Sequence, residues 1–495
     1  MTEHLPTSAD LIIRGGRVID PESGLDEVTD VAVAGGRVVA VGDAPTEAAA
    51  VIDAAGCIVT AGFIDLHSHA QTVPGHRLQA FDGVTTTLEL ESGESPIASA
   101  YARVAAEGRP LNYGFSASWA AIRMEVLAGH PRNGLHGTFA GLGLPAWQRS
   151  ASAAERVRLR ALLEEDLAAG GLGVGILMGY AQETDPEEYT EVARLAATAG
   201  RPTWTHARDL VEVRPDVLRD GAEEIVRTAA ETGAHMHYCH VTSTSTHHVD
   251  RVLGLIADAT AEGGTVTVEA YPYGAGSTAI NARFLAPDQL GLRGLRPQSL
   301  VMVGSGERID SVERLVELRA ADPGAAVLVE FLDDGNDAHR AILRRALSFP
   351  GTVVASDAMP LVGPDEVAGH APEEWPIPPG WTTHPRTAGT FTRSLRLLVD
   401  EVRESWADAL ARCSLLPART LESAVPAMAD KGRVRPGADA DIVVFDPTAL
   451  RDRATYLDGT RPSEGVRHLL VNGRAVIRDG VLDLDARPGR PVRAG

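Results

Sequence analysis

Two histidines separated by a single residue follow a short apolar run in this sequence. The stretch GFIDLHSHA, residues 62–70, places His67 and His69 after Phe-Ile-Asp-Leu, with Asp65 two positions before the first histidine. In a β-strand, residues two positions apart point to the same face, so both imidazoles would leave the strand side by side. A polar strand end would give the same pattern. The pair therefore indicates half of a metal site only if further ligands come from elsewhere in the chain.

Later strand-like stretches also end in side chains that bind metals. LELES carries Glu89 and Glu91, THARD carries His206, HYCHVTS carries His240 and ASDAM carries Asp357. If these stretches are parallel strands of one barrel, their carboxyl ends meet at one rim. Imidazole and carboxylate donors suit zinc, with Mn²⁺ or Co²⁺ as alternatives. The sequence therefore predicts a site for one or two metal ions.

The elements that would position these residues alternate between strand and helix patterns. The eight strand-like stretches are GFIDLHSHA, GVTTTLELES, LNYGFSASW, GLGVGILMGY, RPTWTHARD, AHMHYCHVTS, GTVTVEAYPY and GTVVASDAM. Amphipathic patterns between them, such as SAAERVRLRALLEEDLAAG, end near glycine as helices do. This alternation predicts an α/β fold, a TIM-like (β/α)₈ barrel over residues 62–428. SLVMVGSG and AAVLVEFLDDG are further strand candidates, so the strand count stays open by one.

The two ends of the chain resemble each other. Both residues 1–61 and residues 429–495 contain short β-rich segments divided by turns such as Gly15-Gly16 and Asn472-Gly473. Neither end has enough strands to bury a sheet by itself. We expect the two ends to form one small β-sandwich domain, with the barrel inserted between them.

Composition narrows the function classes. The chain has 495 residues and a formal net charge of −21, which argues against nucleic acid or an anionic membrane surface as a partner. Three scattered cysteines give no disulfide framework, and neither a signal-peptide pattern nor a run of about 18 apolar residues is seen. We therefore expect a cytoplasmic protein that acts on a small molecule. The composition is compatible with a monomer and with a homo-oligomer. The single lysine, Lys431, excludes most lysine chemistry.

Motifs along the whole chain resemble those of a known enzyme group. They are GFIDLHSHA, GVTTT, GLGVGILMGY, THARD, YPYGAGST, ASDAMP, HPRTAGTF, KGRVRPGADADIVVFDP and VNGRAVIRDG. The sequence resembles the amidohydrolase superfamily and, within it, the D-aminoacylases, which are N-acyl-D-amino-acid deacylases. The resemblance implies a metal-dependent barrel enzyme that hydrolyses a linear amide, and a small β-sandwich made from both termini.

The resemblance also implies roles for particular residues. The metal ligands are His67, His69, His206 and His240, and Asp357 is the catalytic general base and acid. Arg386 of HPR holds the substrate carboxylate. Tyr180, Tyr273 and Arg208 match other residues of the substrate pocket.

The chain departs from the family at the bridging ligand. Many superfamily members use a carboxylated lysine on strand four, but Lys431 lies outside the barrel, and the cysteine that D-aminoacylases carry at the end of strand two is absent. We expect Glu91 to replace both, with Glu89, one pleat deeper, as the less favoured alternative. Thr242 and Ser243 stand where the family has a carboxylate-binding lysine, so recognition of the carboxylate would depend more on arginine.

Three side chains near the predicted ligands receive different interpretations. His237 and Cys239 precede His240 on the same stretch. Alternation along a strand predicts that His237 faces the helical layer and that Cys239 belongs to the core. His384, two residues before Arg386, is a candidate support for that arginine.

The favoured function is hydrolysis of N-acyl-D-amino acids by metal-activated water, with the D-enantiomer implied by the resemblance alone. Two other hydrolytic functions fit the same metal site: a dipeptidase, and a cyclic amidohydrolase of the hydantoinase or dihydroorotase kind, which normally needs the missing lysine. A non-enzymatic barrel that serves in binding or assembly would be expected to have lost a ligand or the aspartate, and this chain keeps both.

Overall fold

The computed structural model describes residues 8–43, 45, 47–363 and 373–495. The strands of these ranges are β1 (Ala9–Asp20), β2 (Leu25–Ala34), β3 (Arg37–Val41), β4 (Ala48–Asp53), β5 (Ile58–Ala61), β6 (Phe63–Asp65), β7 (Val84–Glu94), β8 (Asn112–Ser118), β9 (Val174–Leu177), β10 (Thr203–His206), β11 (Met236–Tyr238), β12 (Val266–Ala270), β13 (Ala275–Ala279), β14 (Leu300–Met302), β15 (Ala326–Glu330), β16 (Val353–Val354), β17 (Ile442–Phe445), β18 (Val466–Val471), β19 (Arg474–Arg478) and β20 (Val481–Leu482).

The α-helices of the same ranges are α1 (Val73–Phe81), α2 (Ile97–Glu107), α3 (Trp119–Ala128), α4 (Leu135–Gly141), α5 (Pro145–Gln148), α6 (Ala153–Ala168), α7 (Pro186–Thr198), α8 (Gly221–Thr232), α9 (Val241–Ser245), α10 (Val249–Ala261), α11 (Val312–Ala321), α12 (Asp337–Ser348), α13 (Arg386–Arg396), α14 (Trp406–Cys413) and α15 (Leu415–Glu422). None of the helices in the part of the chain that the structure describes is both long enough and apolar enough to span a membrane.

A parallel barrel sheet forms the centre of the molecule. Its eight strands lie in the order β6, β7, β8, β9, β10, β11, β12 and β16. A parallel bridge between Ser68 and Ala358 joins the two outer strands just beyond their ends. There the Asp65 carboxylate accepts a hydrogen bond from the Ser356 N–H (3.0 Å) and the His69 N–H donates to the Ala358 carbonyl (2.7 Å). The predicted TIM-like barrel is confirmed, and its eight strands are the eight stretches named from the sequence.

The two extra strand candidates lie outside the barrel. SLVMVGSG contains β14 and AAVLVEFLDDG contains β15, and both belong to a separate three-stranded antiparallel sheet with β13. This sheet is part of the connection between β12 and β16. The long connection therefore builds a layer above the barrel rim, where residues of β13 and β15 reach the pocket described below.

The remaining nine strands form one sheet from both ends of the chain. β5 from the N-terminal part pairs antiparallel with β17 from the C-terminal part, with Ala61 opposite Ile442. The sheet encloses its own hydrophobic core, to which Ile13, Val33, Val444 and others contribute. The predicted small domain from both termini is thus confirmed. The last residues leave this sheet, because Val492 N–H donates to the carbonyl of Tyr113 on β8 (2.7 Å).

Candidate metal centre

Four imidazoles surround one buried carboxylate at the carboxyl rim of the barrel. Glu91 Oε2 lies 3.2 Å from His67 Nε2 and 3.7 Å from His69 Nε2. Its other oxygen, Oε1, lies 3.0 Å from His206 Nδ1 and 2.7 Å from His240 Nε2. All five side chains are buried. Glu91 therefore presents one oxygen to each histidine pair, which is the arrangement of a carboxylate that can bridge two cations.

A distortion of β7 places Glu91 at this position. Between the pairs Glu89–Phe115 and Glu94–Ala117, four residues of β7 lie opposite one residue of β8. The carboxylate of Glu89 stabilises the extra length, because its Oε1 lies 3.2 Å from the backbone N–H groups of both Ser92 and Gly93. Bulges of this kind re-aim a side chain next to a functional site.

His240 and Asp357 both lie beyond the ends of their strands, in left-handed backbone conformations. Their φ angles are 31° and 51°. Non-glycine residues rarely adopt such values, and residues that do so are concentrated at functional sites. The turn after β11 directs His240 toward Glu91, so its position does not follow from the alternation of side chains along the strand.

His237 is the residue for which that alternation gave the wrong direction. Its Nε2 lies 3.1 Å from Glu269 Oε2, and the other oxygen of Glu269 contacts His67. Its ring packs against Trp204, with 4.9 Å between ring centroids. His237 therefore lies inside the barrel beneath the centre and not toward the helices. Cys239 belongs to the same buried interior as Trp204, as expected.

The first histidine pair is oriented by two further carboxylates. His67 Nδ1 lies 2.5 Å from Glu269 Oε1, and His69 Nδ1 lies 2.6 Å from Glu89 Oε2. When each Nδ1 carries the hydrogen that the carboxylate accepts, each Nε2 presents a lone pair, and these two nitrogens are only 3.3 Å apart. Metal-binding histidines are held in this way by carboxylates. The convergent lone pairs, with the oxygens of Glu91, are a donor set that fits zinc.

Asp357 faces the same pair from the last barrel strand. Its Oδ1 lies 3.4 Å from both His67 Nε2 and His69 Nε2, and its Oδ2 lies 2.9 Å from Arg386 Nη1. Burial alone would raise the pKa of Asp357, but Arg386 and His67 hold that pKa below its usual value. The pKa of Glu91 is likewise held well below its usual range by His67 and its other imidazole neighbours, despite burial. Both groups are therefore carboxylates at neutral pH.

A pocket opens above these groups, and Arg386 lies in its wall. Arg386 is the first residue of α13; its guanidinium lies 5.0 Å from the centre of the Tyr271 ring, and its Nε has no hydrogen-bond partner among the described residues. His384 supports it, because the Arg386 N–H donates to His384 Nδ1 (3.1 Å). A buried guanidinium with a free N–H beside the pocket is suited to bind a carboxylate.

Of the two tyrosines assigned to the pocket, the structure places one in its wall. Tyr180 lines the pocket, and its hydroxyl lies 2.9 Å from Thr278 Oγ1. Tyr273 points elsewhere: its ring makes edge-to-face contacts with the rings of His384 and Tyr456 and is covered by the guanidinium of Arg393. Tyr271, two residues earlier, lines the pocket instead.

Arg208 is held inside the protein and is not among the residues that line the pocket. Its Nε and Nη2 lie 3.0 and 3.2 Å from the two carboxylate oxygens of Glu224, and Nη2 also donates to the Thr184 carbonyl. Both charged side chains are buried. This geometry gives Arg208 a structural task, since it joins the segment after β10 to α8.

Replacing Arg208 with methionine is expected to destabilise the fold. The substitution leaves the Glu224 carboxylate buried without its partner, a change that costs about 3–5 kcal/mol. Denaturant unfolding measures this loss. Arg283→Met is the control, because Arg283 and Asp288 form an exposed pair worth at most about 1 kcal/mol. If Arg208→Met keeps wild-type stability but raises the substrate KM, Arg208 is instead a substrate-binding residue.

Glu269, Tyr271 and Arg293 also belong to the site, although none of them was predicted from the sequence. Glu269 and Tyr271 both stand in the stretch GTVTVEAYPY, at the end of β12. The rule that selected the other residues, a polar group at the carboxyl end of a barrel strand, applies equally to Glu269. Arg293 lies in the long connection after β12, and no local pattern distinguishes it from other surface arginines.

Curated proteins similar to this chain include deacylases of acidic N-acyl-D-amino acids. Residues 50–477 match the model of the amidohydrolase family. The N-acyl-D-glutamate deacylase of Alcaligenes xylosoxydans xylosoxydans is 29% identical, over 98% of this chain and 96% of the relative. The N-acyl-D-aspartate deacylase of the same organism is 30% identical, over 99% of this chain and 96% of the relative.

Solved structures show the same fold. The N-acyl-D-glutamate deacylase of Bordetella bronchiseptica, complexed with zinc and a phosphonate inhibitor, is similar with a TM-score of 0.76 at 24% identity, covering 98% of this chain and 100% of that one. A D-aminoacylase gives a TM-score of 0.77 at 24% identity with the same coverage. By its family match and its curated relatives, the chain belongs to the amidohydrolase family, in the branch of the N-acyl-D-amino-acid deacylases.

Proposed function

We propose that this chain is a zinc-dependent amidohydrolase that cleaves the linear amide of N-acyl-D-amino acids, releasing a carboxylic acid and a free amino acid. The observation that carries the proposal is one cluster of four imidazoles with Glu91 and Asp357, which, all but His67, line the same pocket as Arg386 and its free N–H. The named activities of the curated relatives support the same reaction and the D-configuration.

His67, His69 and His206, together with His240 and Glu91, would hold the metal. Glu91 presents an oxygen to each histidine pair, so the residues accommodate two ions as well as one. A bound zinc ion lowers the pKa of water to about 7 and polarises the amide carbonyl. Glu89 and Glu269 hold His69 and His67 with their Nε2 atoms toward the centre.

Asp357 would move the proton. It is ionised and faces the centre with one oxygen, so it can accept a proton from the attacking water. The amide nitrogen must leave as an amine, and the protonated Asp357 can supply the hydrogen. Arg386 keeps the second carboxylate oxygen occupied, which fixes the orientation of Asp357 relative to the substrate.

Arg386 would bind the α-carboxylate of the substrate. Its planar guanidinium can donate two parallel hydrogen bonds to a carboxylate, which fixes the amide relative to Asp357. A cyclic amidohydrolase function is disfavoured because the chain's one lysine, Lys431, is buried against Asp439 and Asp441 and cannot bridge metals in the barrel.

Exchanging Arg386 for lysine tests its role. We expect Arg386→Lys to raise KM for an N-acetyl-D-amino acid by about tenfold or more, since a lysine offers no bidentate contact. The same substitution should change KM much less for the corresponding amino-acid amide, which lacks the carboxylate. Steady-state kinetics on this substrate pair measures the difference. Equal effects on both substrates would show that Arg386 does not bind the carboxylate.

The proposed function as a whole is tested by a hydrolysis screen. N-acetyl and N-formyl amino acids of both configurations are offered to the purified protein, and bound metal is measured on the same sample. We expect zinc in the protein and release of free D-amino acids. Cleavage of dipeptides or hydantoins in preference to every N-acyl-D-amino acid would contradict the proposal.

A further inference from the structure

We infer that the side chain of the substrate's amino acid is uncharged, and that Asp209 sets this preference by neutralising Arg293. The inference rests on the proposed function and deepens it by naming the substrate class. It separates this chain from the two relatives named above for N-acyl-D-glutamate and N-acyl-D-aspartate.

An aromatic wall leads from the metal centre to Arg293. The ring of His206 lies 4.7 Å from that of Tyr180, and the ring of Tyr180 lies 5.5 Å from that of Phe284. The guanidinium of Arg293 lies over the face of Phe284, 4.1 Å from its centre. Leu177, Val213 and Leu295 add apolar side chains to the lining of the pocket. The groups of a substrate that lie along this wall therefore contact mainly apolar surface.

Arg293 and Arg386 are the two cationic side chains in the described lining of the pocket. The proposed function assigns Arg386 to the α-carboxylate. A second carboxylate, such as that of a glutamate or aspartate side chain, would therefore need Arg293. A buried or half-buried carboxylate without a cationic partner is costly, so the state of Arg293 determines whether such a substrate is accepted.

Arg293 is already paired. Its Nη2 contacts Asp209 Oδ1 directly, and the two side chains are only 21% and 11% exposed. Asp209 is itself fixed, because its N–H donates to Gln182 Oε1 (3.1 Å) and its carbonyl accepts from the Gly221 N–H. An acidic substrate would have to displace Asp209 or lie beside it, and two neighbouring carboxylates repel each other. The pair thus acts against acidic substrates.

Three substrates of similar size separate charge from shape: N-acetyl-D-methionine, N-acetyl-D-glutamine and N-acetyl-D-glutamate. With the zinc-loaded wild-type enzyme, we expect kcat/KM for glutamine to exceed that for glutamate by about tenfold or more, and methionine to be at least as good as glutamine. Glutamine and glutamate differ mainly in charge, so their ratio reports the preference directly.

Asp209→Asn should release Arg293 and change that ratio. We expect kcat/KM for the glutamate substrate to rise by about tenfold, with that for glutamine altered by less than about threefold. Adding Arg293→Gln to Asp209→Asn should remove the gain. Asp288→Asn, which breaks an exposed arginine pair outside the pocket lining, should leave the ratio unchanged.

Three outcomes overturn the inference or its basis. A wild-type preference for glutamate over glutamine shows that the pair does not exclude acidic substrates, whatever the variants do. An unchanged ratio in a folded, zinc-loaded Asp209→Asn enzyme shows that Asp209 does not set the preference. If the enzyme hydrolyses none of the three substrates, the proposed function itself is refuted, and the inference is refuted with it.

Discussion

Asp357→Asn is expected to lower kcat for N-acyl-D-amino acids by about 10²–10⁴-fold, the usual contribution of a positioned acid–base group. Asparagine keeps the shape of the side chain and an oxygen toward His67 and His69, which in the native protein lie 3.4 Å from Asp357 Oδ1. It cannot accept a proton and return it. The defect should therefore fall on kcat, while bound zinc stays close to the wild-type amount.

Two measurements make this result specific. Zinc per chain, determined on the samples used for kinetics, separates loss of the base from loss of metal. Asp452→Asn is the control, since Asp452 is a half-buried aspartate near an arginine, Arg393, and lies outside the pocket lining. We expect its kcat to stay within about threefold of wild type. An Asp357→Asn enzyme that turns over near the wild-type rate would remove Asp357 from the mechanism.

The barrel and most of the centre could be predicted because both depend on strand ends. In a closed parallel barrel, the carboxyl end of every strand reaches the same rim, so histidines at or just after the ends of β6, β10 and β11 must approach one another. No long-range contact has to be known for that conclusion. The prediction that His67, His69 and His206 bind a metal follows from chain order and residue type.

The strand period could not predict where a strand stops or bulges. β11 ends at Tyr238, and the left-handed turn at His240 breaks the alternation from which the direction of His237 was inferred. The extra residues of β7 could not be predicted from its sequence either. They are stabilised by the Glu89 carboxylate, which accepts hydrogen bonds from the N–H groups of Ser92 and Gly93. Such backbone features depend on tertiary contacts.

The roles of the arginines were harder still to predict, because a motif does not reveal which partner a charged side chain finds. Arg208, in the segment after β10, is bound by Glu224 on α8, and Arg293 is bound by Asp209, 84 residues away in the chain. An arginine that ends in an internal ion pair and one that is free for a ligand have the same local sequence. Folded contacts decide between these uses.

Glu91→Gln is expected to cause the largest loss of bound metal among substitutions of the second barrel strand. Glu91 is the carboxylate in contact with both histidine pairs, and a buried cation needs an anionic donor to offset its charge. Glutamine keeps the size of the side chain but removes the charge and places an N–H₂ group against imidazole lone pairs. We expect zinc affinity to fall by more than about a hundredfold, beyond the usual effect of changing a group that only orients a ligand.

Glu89→Gln tests the alternative assignment on the same strand. Glu89 contacts His69 Nδ1 and two backbone N–H groups, and does not face the second histidine pair. Its loss should weaken zinc binding by about 10–100-fold, because it orients one ligand and stabilises the turn that carries Glu91. Glu94→Gln is the control, since Glu94 is a buried carboxylate of β7 that pairs with Arg103 away from the histidines.

Zinc per chain after dialysis, and competition with a chelator, give the order of the three variants. The structure leads us to expect the greatest loss for Glu91→Gln, a smaller loss for Glu89→Gln and wild-type binding for Glu94→Gln. A greater loss for Glu89→Gln would make Glu89 the ligand, and wild-type binding in both would leave the centre without a bridging carboxylate. Because carboxylate oxygen is a harder donor than thiolate, the wild-type centre should also accept Mn²⁺ or Co²⁺ more readily than a cysteine-bridged centre does.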